Sequence, residues 1–135
     1  MTDPKGAKAI AVHQPNAWLI GEGIKPVENR SWPYHYRGPL YIHATLSMSR
    51  TPLEEIEQKH GIRIDRSALH RGGIVAVVDL VDVVSKHPSK FFEGPLAWVF
   101  VNARHVPFVP MSGKQGIINV PQEVLKRIKQ GDAKR

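Results

Sequence analysis

The chain predicts an α+β fold: a small, mixed and mostly antiparallel β-barrel with two to three helices packed over its openings. Three observations lead there. About five to seven short runs are rich in apolar and β-branched residues, the signature of strands. Those runs do not alternate strictly with helical patterns, which argues against a doubly wound parallel sheet. The length, 135 residues, is one domain's worth of chain, enough to bury roughly two thirds of its unfolded surface without disulfide or metal.

Residues 8–13 read as a first strand that Pro15 ends, since proline suits the first turn of a helix. Residues 16–20 then read as a short helix carrying Trp18, closed by Gly21-Glu22-Gly23. Lys25-Pro26 interrupts the pattern, residues 27–32 resume as extended chain, and residues 39–45 read as a strand. At 51–54 the spacing predicts a helix start: Thr51 as cap, Pro52 at the first helical position, and Glu54 bonding back. Leu53 and Ile56 share the inner face of that helix, and Gly61 stops it. Residues 62–72 are polar and irregular. Residues 73–84 are the longest β-branched run, apolar on both faces, as in a strand between a barrel interior and a covering helix. Alternation along it sends Asp79 and Asp82 to opposite sides. Residues 96–101 form a further strand, and residues 105–110 an edge strand, because Pro107 and Pro110 would break a central ladder. Residues 116–120 close the set. Pro121 opens a last helix with Val124, Leu125 and Ile128 on one stripe and Lys126, Arg127 and Lys129 facing water.

Composition narrows the function classes. There is no cysteine, so disulfide frameworks, thiolate metal sites, iron–sulfur clusters and cysteine nucleophiles are excluded. The seven histidines are scattered without paired ligand spacing, so neither a metal site nor a cofactor is expected. No window approaches the ~20 apolar residues that span a bilayer, and the polar N-terminus has no leader pattern. A cytoplasmic protein without a membrane partner is the expectation. We expect residues 1–8 to be a flexible tail, 9–130 a single domain and 131–135 a basic tail.

The net charge is +7 and the pI about 9.9, which points to anionic partners such as nucleic acid. More than half of that excess lies in residues 1–8 and 121–135, where it steers a partner without specifying one. The interior cluster is more selective. Gly23-x-Lys25-x-x-Glu28-x-Arg30-x-Trp32 leads into Tyr36-Arg37-Gly38. In an extended segment Glu28, Arg30 and Trp32 lie on one face, since side chains repeat every second residue. Such a wall suits a nucleotide: Arg30 for phosphate or a base edge, Trp32 for stacking, Glu28 for orienting Arg30 or accepting from an amine. The competing reading makes Glu28 and Arg30 a structural ion pair and Trp32 core. Trp18 borders the same cleft, and Trp98 reads as core. Ser112 and Lys114 sit in a Ser-Gly-Lys-Gln-Gly turn whose backbone amides suit a phosphate.

His13-Gln14-Pro15 with Trp18, the Gly-x-Lys-x-x-Glu-x-Arg-x-Trp run and Arg37-Gly-Pro-Leu-Tyr-Ile-His-Ala44 together resemble the ASCH domain family. That family belongs to the PUA-like β-barrel superfamily. The resemblance extends through Val78–Asp82 and residues 108–120. It implies a PUA-like barrel whose basic cleft, beside the first helix and the motif strand, takes RNA, single-stranded nucleic acid or a modified nucleoside. Carried over, Gly23 is a close-approach turn, Lys25, Glu28 and Arg30 are cleft residues, and Arg37 is a rim cation. Some members are enzymes, so two catalytic alternatives stand: a small ribonuclease, or an amidohydrolase acting on N4-acylated cytidine, with Lys25 and Glu28 as the proton-transfer pair. The amidohydrolases of this pattern use a threonine three residues after the lysine. Here that position is Glu28, which departs from acyl-enzyme chemistry. Asp79 is the candidate for their later-strand acid, and Ser112 for an assisting hydroxyl. A protein-interaction module is the third alternative.

Overall fold

A computed structural model describes residues 6–133. The elements run β1 (Lys8–Gln14), α1 (Asn16–Gly21), β2 (Val27–Arg30), β3 (Gly38–Met48), α2 (Leu53–His60), β4 (Gly73–Val84), β5 (Leu96–Pro110), β6 (Ile117–Asn119) and α3 (Gln122–Ala133), with a 3-10 turn at Arg66–Ala68. The fold is α+β, as expected. Six strands form one sheet in the order β2-β5-β4-β3-β1-β6. β1 and β3 pair in parallel, while β6 on β1, β4 on β3, and β5 on both β4 and β2 are antiparallel. The main-chain ladder does not close, but the curl of the sheet is compatible with the expected barrel. Its curl brings edge strand β2 against β1, where Arg30 Nη2 donates to the carbonyl of Ala11 at 2.7 Å.

β4 keeps the expected bounds, and its first half is buried on both faces. Its side chains enter two cores, with register shifts at Ile74/Ala76 and Val77/Asp79 interrupting strict alternation. Val78, Leu80 and Ala76 join Ile10, Ile42, Leu40 and Trp98 in one, while Ile74 and Val77 join Val106, Ile118, Leu125 and Ile128 beneath α3 in the other. Trp98 is fully buried, as expected. Burying a side chain of this size contributes roughly 1.5–3 kcal/mol, which is why the β4–β5 pair anchors the sheet.

Four expectations need correction. The segments 96–101 and 105–110 are one strand, β5, which pairs with β4 from Val84↔Ala97 to Gly73↔Pro110. The register jumps beside Asn102, which takes φ 54 and donates from Nδ2 to Asp79 Oδ2 at 2.9 Å. Asparagine tolerates this left-handed backbone, so a bulge stands where the sequence suggested a break. Pro107 is tolerated because β2 covers only Leu96–Val99, which leaves the other flank of β5 unpaired beyond it.

The second correction concerns α2. Its N-cap is Pro52, with ψ 143, and no side chain caps it. Thr51 therefore does not cap, and Glu54 pairs with Arg66 instead of bonding back. The stop is as expected: Gly61 takes φ 64 and its N–H bonds Glu57 O. Third, segment 62–72 is not wholly polar in role, since Ile64 is buried with Trp18 and Leu19. Fourth, the tail boundaries shift, because Lys8 already belongs to β1 and α3 runs to Ala133. Of the two expected tails, residues 1–5 and 134–135 lie outside the described residues.

Candidate functional site

The motif segment starts where α1 ends. The amides of Ile24 and Lys25 both donate to Leu19 O at 3.0 Å, and Gly23 takes φ 79 to let the chain turn back. A Cβ on Gly23 would meet nothing within 4 Å. The glycine is therefore required by its positive φ, not by the close approach expected of it. Phe100 N then donates to Pro26 O and starts the β2–β5 ladder, in which Glu28 faces Trp98.

Lys25, Glu28 and Arg30 form a chain of ion pairs. Lys25 Nζ lies 2.9 Å from Glu28 Oε1, and Arg30 Nη2 lies 2.8 Å from Glu28 Oε2. Lys25 and Glu28 are buried, at 5% and 8% exposure. The carboxylate is thus committed on both oxygens, and the guanidinium also holds Ala11 O. On this point the structural ion-pair reading describes the geometry. Trp32 leaves the expected wall, because β2 ends at Arg30. Its ring meets Trp98 edge-on at 4.8 Å and 89°, and its carbonyl accepts from Trp98 Nε1. At 37% exposure it is a cover over the core tryptophan.

Lys25 nevertheless opens onto a pocket of 390 Å³. One wall is α2, which brings Glu55, Ile56, Lys59 and His60; the other is the β4–β5 loop, with Lys90, Phe91 and Glu93. Ser49 and Thr51 complete its rim. His60 stacks on Phe91 with ring centroids 3.7 Å apart and planes at 11°. Burial lowers the His60 pKa below its ordinary value, and the charges of Lys59 and Lys90 lower it further. Burial and the three ammonium groups thus disfavour the charged imidazole, against a smaller opposing pull from Glu93. None of Lys59, His60, Lys90 or Phe91 stands out in the sequence as a site residue. Their spacing carries no motif, and only the packing of α2 against the β4–β5 loop unites them.

The other expected residues are dispersed. Trp18, buried at 8% exposure, lines a separate 820 Å³ cavity on the other flank of α1. Ser112 and Lys114 border a third, of 550 Å³, beside His13 and His43. There His43 Nε2 donates to Met111 O at 2.7 Å. Arg37 donates to the carbonyls of Tyr34 and Tyr36. Asp79 is held by Asn102, and Asp82 accepts from the amide of Val83. Among the described residues neither Asp79, the acid of the amidohydrolase alternative, nor Ser112, the hydroxyl of the ribonuclease alternative, is bonded to the Lys25–Glu28–Arg30 chain.

The family model of the ASCH domain matches residues 10–110. The chain belongs to the ASCH domain family. Activating signal cointegrator 1 of Homo sapiens is 36% identical to it over 92 residues, 63% of this chain and 16% of the human protein. The Mus musculus protein of the same name is 29% identical over 142 residues, 93% of this chain and 24% of that protein. This ASCH domain thus spans a quarter or less of the length of these relatives. The crystal structure of ASCH from Zymomonas mobilis superposes with a TM-score of 0.57 at 14% identity, covering 93% of this chain and 95% of that one. A mutant of the same protein gives 0.56 at 14% identity. At that identity the likeness speaks to the fold, which is PUA-like. No helix among the described residues is long and apolar enough to cross a membrane.

Proposed function

We propose that this ASCH domain binds RNA or another single-stranded nucleic acid, and that the strand enters the Lys25 pocket. One observation carries the reading: Lys25, Lys59 and Lys90, from three separate segments, converge on a single 390 Å³ pocket. Three ammonium groups around one concavity attract phosphate, and Glu55 and Glu93 on the same rim accept from exocyclic base amines. The chain's net charge of +7 favours encounter with an anionic strand. ASCH domains are thought to bind RNA, which supports the same assignment.

Glu28 holds Lys25 upright at the pocket floor and neutralises one of the three cations. That role differs from the proton-transfer pair of the enzyme readings, because both Glu28 oxygens and the Lys25 ammonium are engaged with one another and with Arg30. The pocket's direct ligands are then Lys59 and Lys90, with Lys25 behind them. The test is a titration of a short single-stranded RNA at several salt concentrations. With the two ammonium groups of Lys59 and Lys90 in contact, the slope of log affinity against log salt is roughly −1.4. Undetectable or salt-independent binding would contradict the reading and favour a protein-interaction module.

A further inference from the structure

The 820 Å³ cavity on the far flank of α1 is a frame of flat rings. Trp18 and His105 lie 6.3 Å apart at 27°, and His70 and Phe108 lie 5.2 Å apart at 27°. Gln14, with no exposed surface, fixes the frame from below. Its Oε1 accepts from Trp18 N at 2.9 Å and its Nε2 donates to His70 O at 2.8 Å. Both ends of that amide are thereby spent on holding α1 and the approach to β4 at a set separation. Gln14 shapes the cavity and does not contact an occupant.

The rim adds charge to the rings. Arg66 is bound by Glu57 and Glu54, and Glu22 is paired with His105 at 2.6 Å. Arg63 lies on the same rim, and among the described residues its guanidinium has no hydrogen bond or ion pair. One unpaired cation beside paired aromatic faces matches a nucleotide, whose phosphate and planar base need these two contacts together. The volume lies within the range of roughly 300–1,000 Å³ usual for small-molecule sites.

We infer that this cavity takes one unstacked nucleobase of a bound single strand, stacked on the exposed side of the His70–Phe108 pair, with an adjacent phosphate on Arg63. The inference rests on the nucleic-acid reading above and assigns a base subsite separate from the Lys25 pocket. An acidic peptide would use Arg63 without needing flat ring faces, so base dependence is the distinguishing property.

The experiment measures the affinity of wild-type protein, His70→Ala and Phe108→Ala for a labelled eight-nucleotide RNA and for an abasic strand of equal length. His70 is exposed and its carbonyl bond to Gln14 is main-chain, so His70→Ala keeps the frame even if Phe108→Ala loosens the core. The expected result is a loss of about 5- to 100-fold on the RNA for either variant, the range for removing one stacking ring. Affinity for the abasic strand should be unchanged. Equal affinities of wild type and both variants for the RNA would overturn the subsite, as would equal losses on both strands or tight binding of an acidic peptide that competes with RNA. A Lys59→Ala/Lys90→Ala variant separates the two readings. If it binds RNA like wild type while His70→Ala does not, the Lys25 pocket falls and the base subsite stands. If wild type binds neither strand, both fall.

Discussion

Arg30 and Ala11 join the two sides of the sheet: the guanidinium Nη2 of the one donates to the main-chain carbonyl of the other at 2.7 Å. The ladder never pairs β2 with β1. Beyond the end of β6, the amide of Ala11 is met by Gly116 O, and its carbonyl would be left without a partner but for Arg30. Glu28 holds the guanidinium from the other side at 2.8 Å. The motif is therefore a clasp that closes the curl of the sheet, and Lys25 projects from the clasp into the pocket.

Removing Arg30 should act on stability before it acts on binding. Arg30→Ala leaves Ala11 O unpaired and strips Glu28 of one of its two cations, a loss of roughly 3 kcal/mol. Urea unfolding measures it, and the fraction that remains folded should bind RNA as wild type does. A stability change below about 0.5 kcal/mol together with a tenfold loss of RNA affinity would make Arg30 a ligand contact and not part of the frame.

Acid sensitivity should appear at α2. Glu57 accepts from Arg66 at 2.7 Å and from the amide of Ile64 at 2.7 Å. The Arg66 hydrogen bond foremost, then that amide, hold its carboxyl down to about 2 from 4.5. A carboxyl held below its unfolded value contributes stability that is complete above about pH 4.5 and is lost as the pH falls toward 2. Glu57→Gln should therefore flatten the acid limb of a stability profile between those values and leave its slope at neutral pH unchanged. An unaltered acid limb would show that the pair is not coupled to folding.

His60 should report occupancy of the Lys25 pocket. Burial, Lys59 and Lys90 lower its pKa. A phosphate dianion beside the imidazole favours the charged ring, so its pKa should rise when inorganic phosphate is added. By linkage, protonation of His60 should tighten the binding of phosphate of a given charge. Proton NMR of the His60 ring across pH, with and without phosphate, measures both effects; an unmoved His60 would place the anion elsewhere.

Gly61 should tolerate no side chain for a reason of backbone alone. It takes φ 64, and a Cβ there would meet nothing within 4 Å. Gly61→Ala should thus cost roughly 1 kcal/mol by thermal unfolding, the strain of a left-handed residue without any clash. Because His60 immediately precedes it, a larger loss would indicate that the end of α2 also depends on the His60–Phe91 stack.

The legible parts of this fold are those in which one local cause dominates. β4 kept its bounds because an unbroken β-branched run buried on both faces leaves no alternative. Gly61 ended α2 where expected because glycine enters the left-handed region most readily. β5 read as two strands because Asn102 and Pro107 locally mimic a break, whereas pairing along β4 carries the chain through both. At the site, the Lys25–Glu28–Arg30 spacing located the motif, but alternation could not show that β2 stops before Trp32. Lys59 and Lys90 were invisible for a different reason. They meet Lys25 only through the docking of α2 and the β4–β5 loop, and no periodicity within either segment encodes that meeting.

The most direct test of the Lys25 pocket is a backbone amide shift map recorded while a short single-stranded RNA is added. The largest shifts are expected at Lys25, across Ser49 to His60 and at Lys90 to Glu93, with His70 and Phe108 moving in the same titration. RNA binding whose shifts cluster around Ser112–Lys114 or along α3, leaving Lys25, Lys59 and Lys90 unmoved, would contradict that expectation.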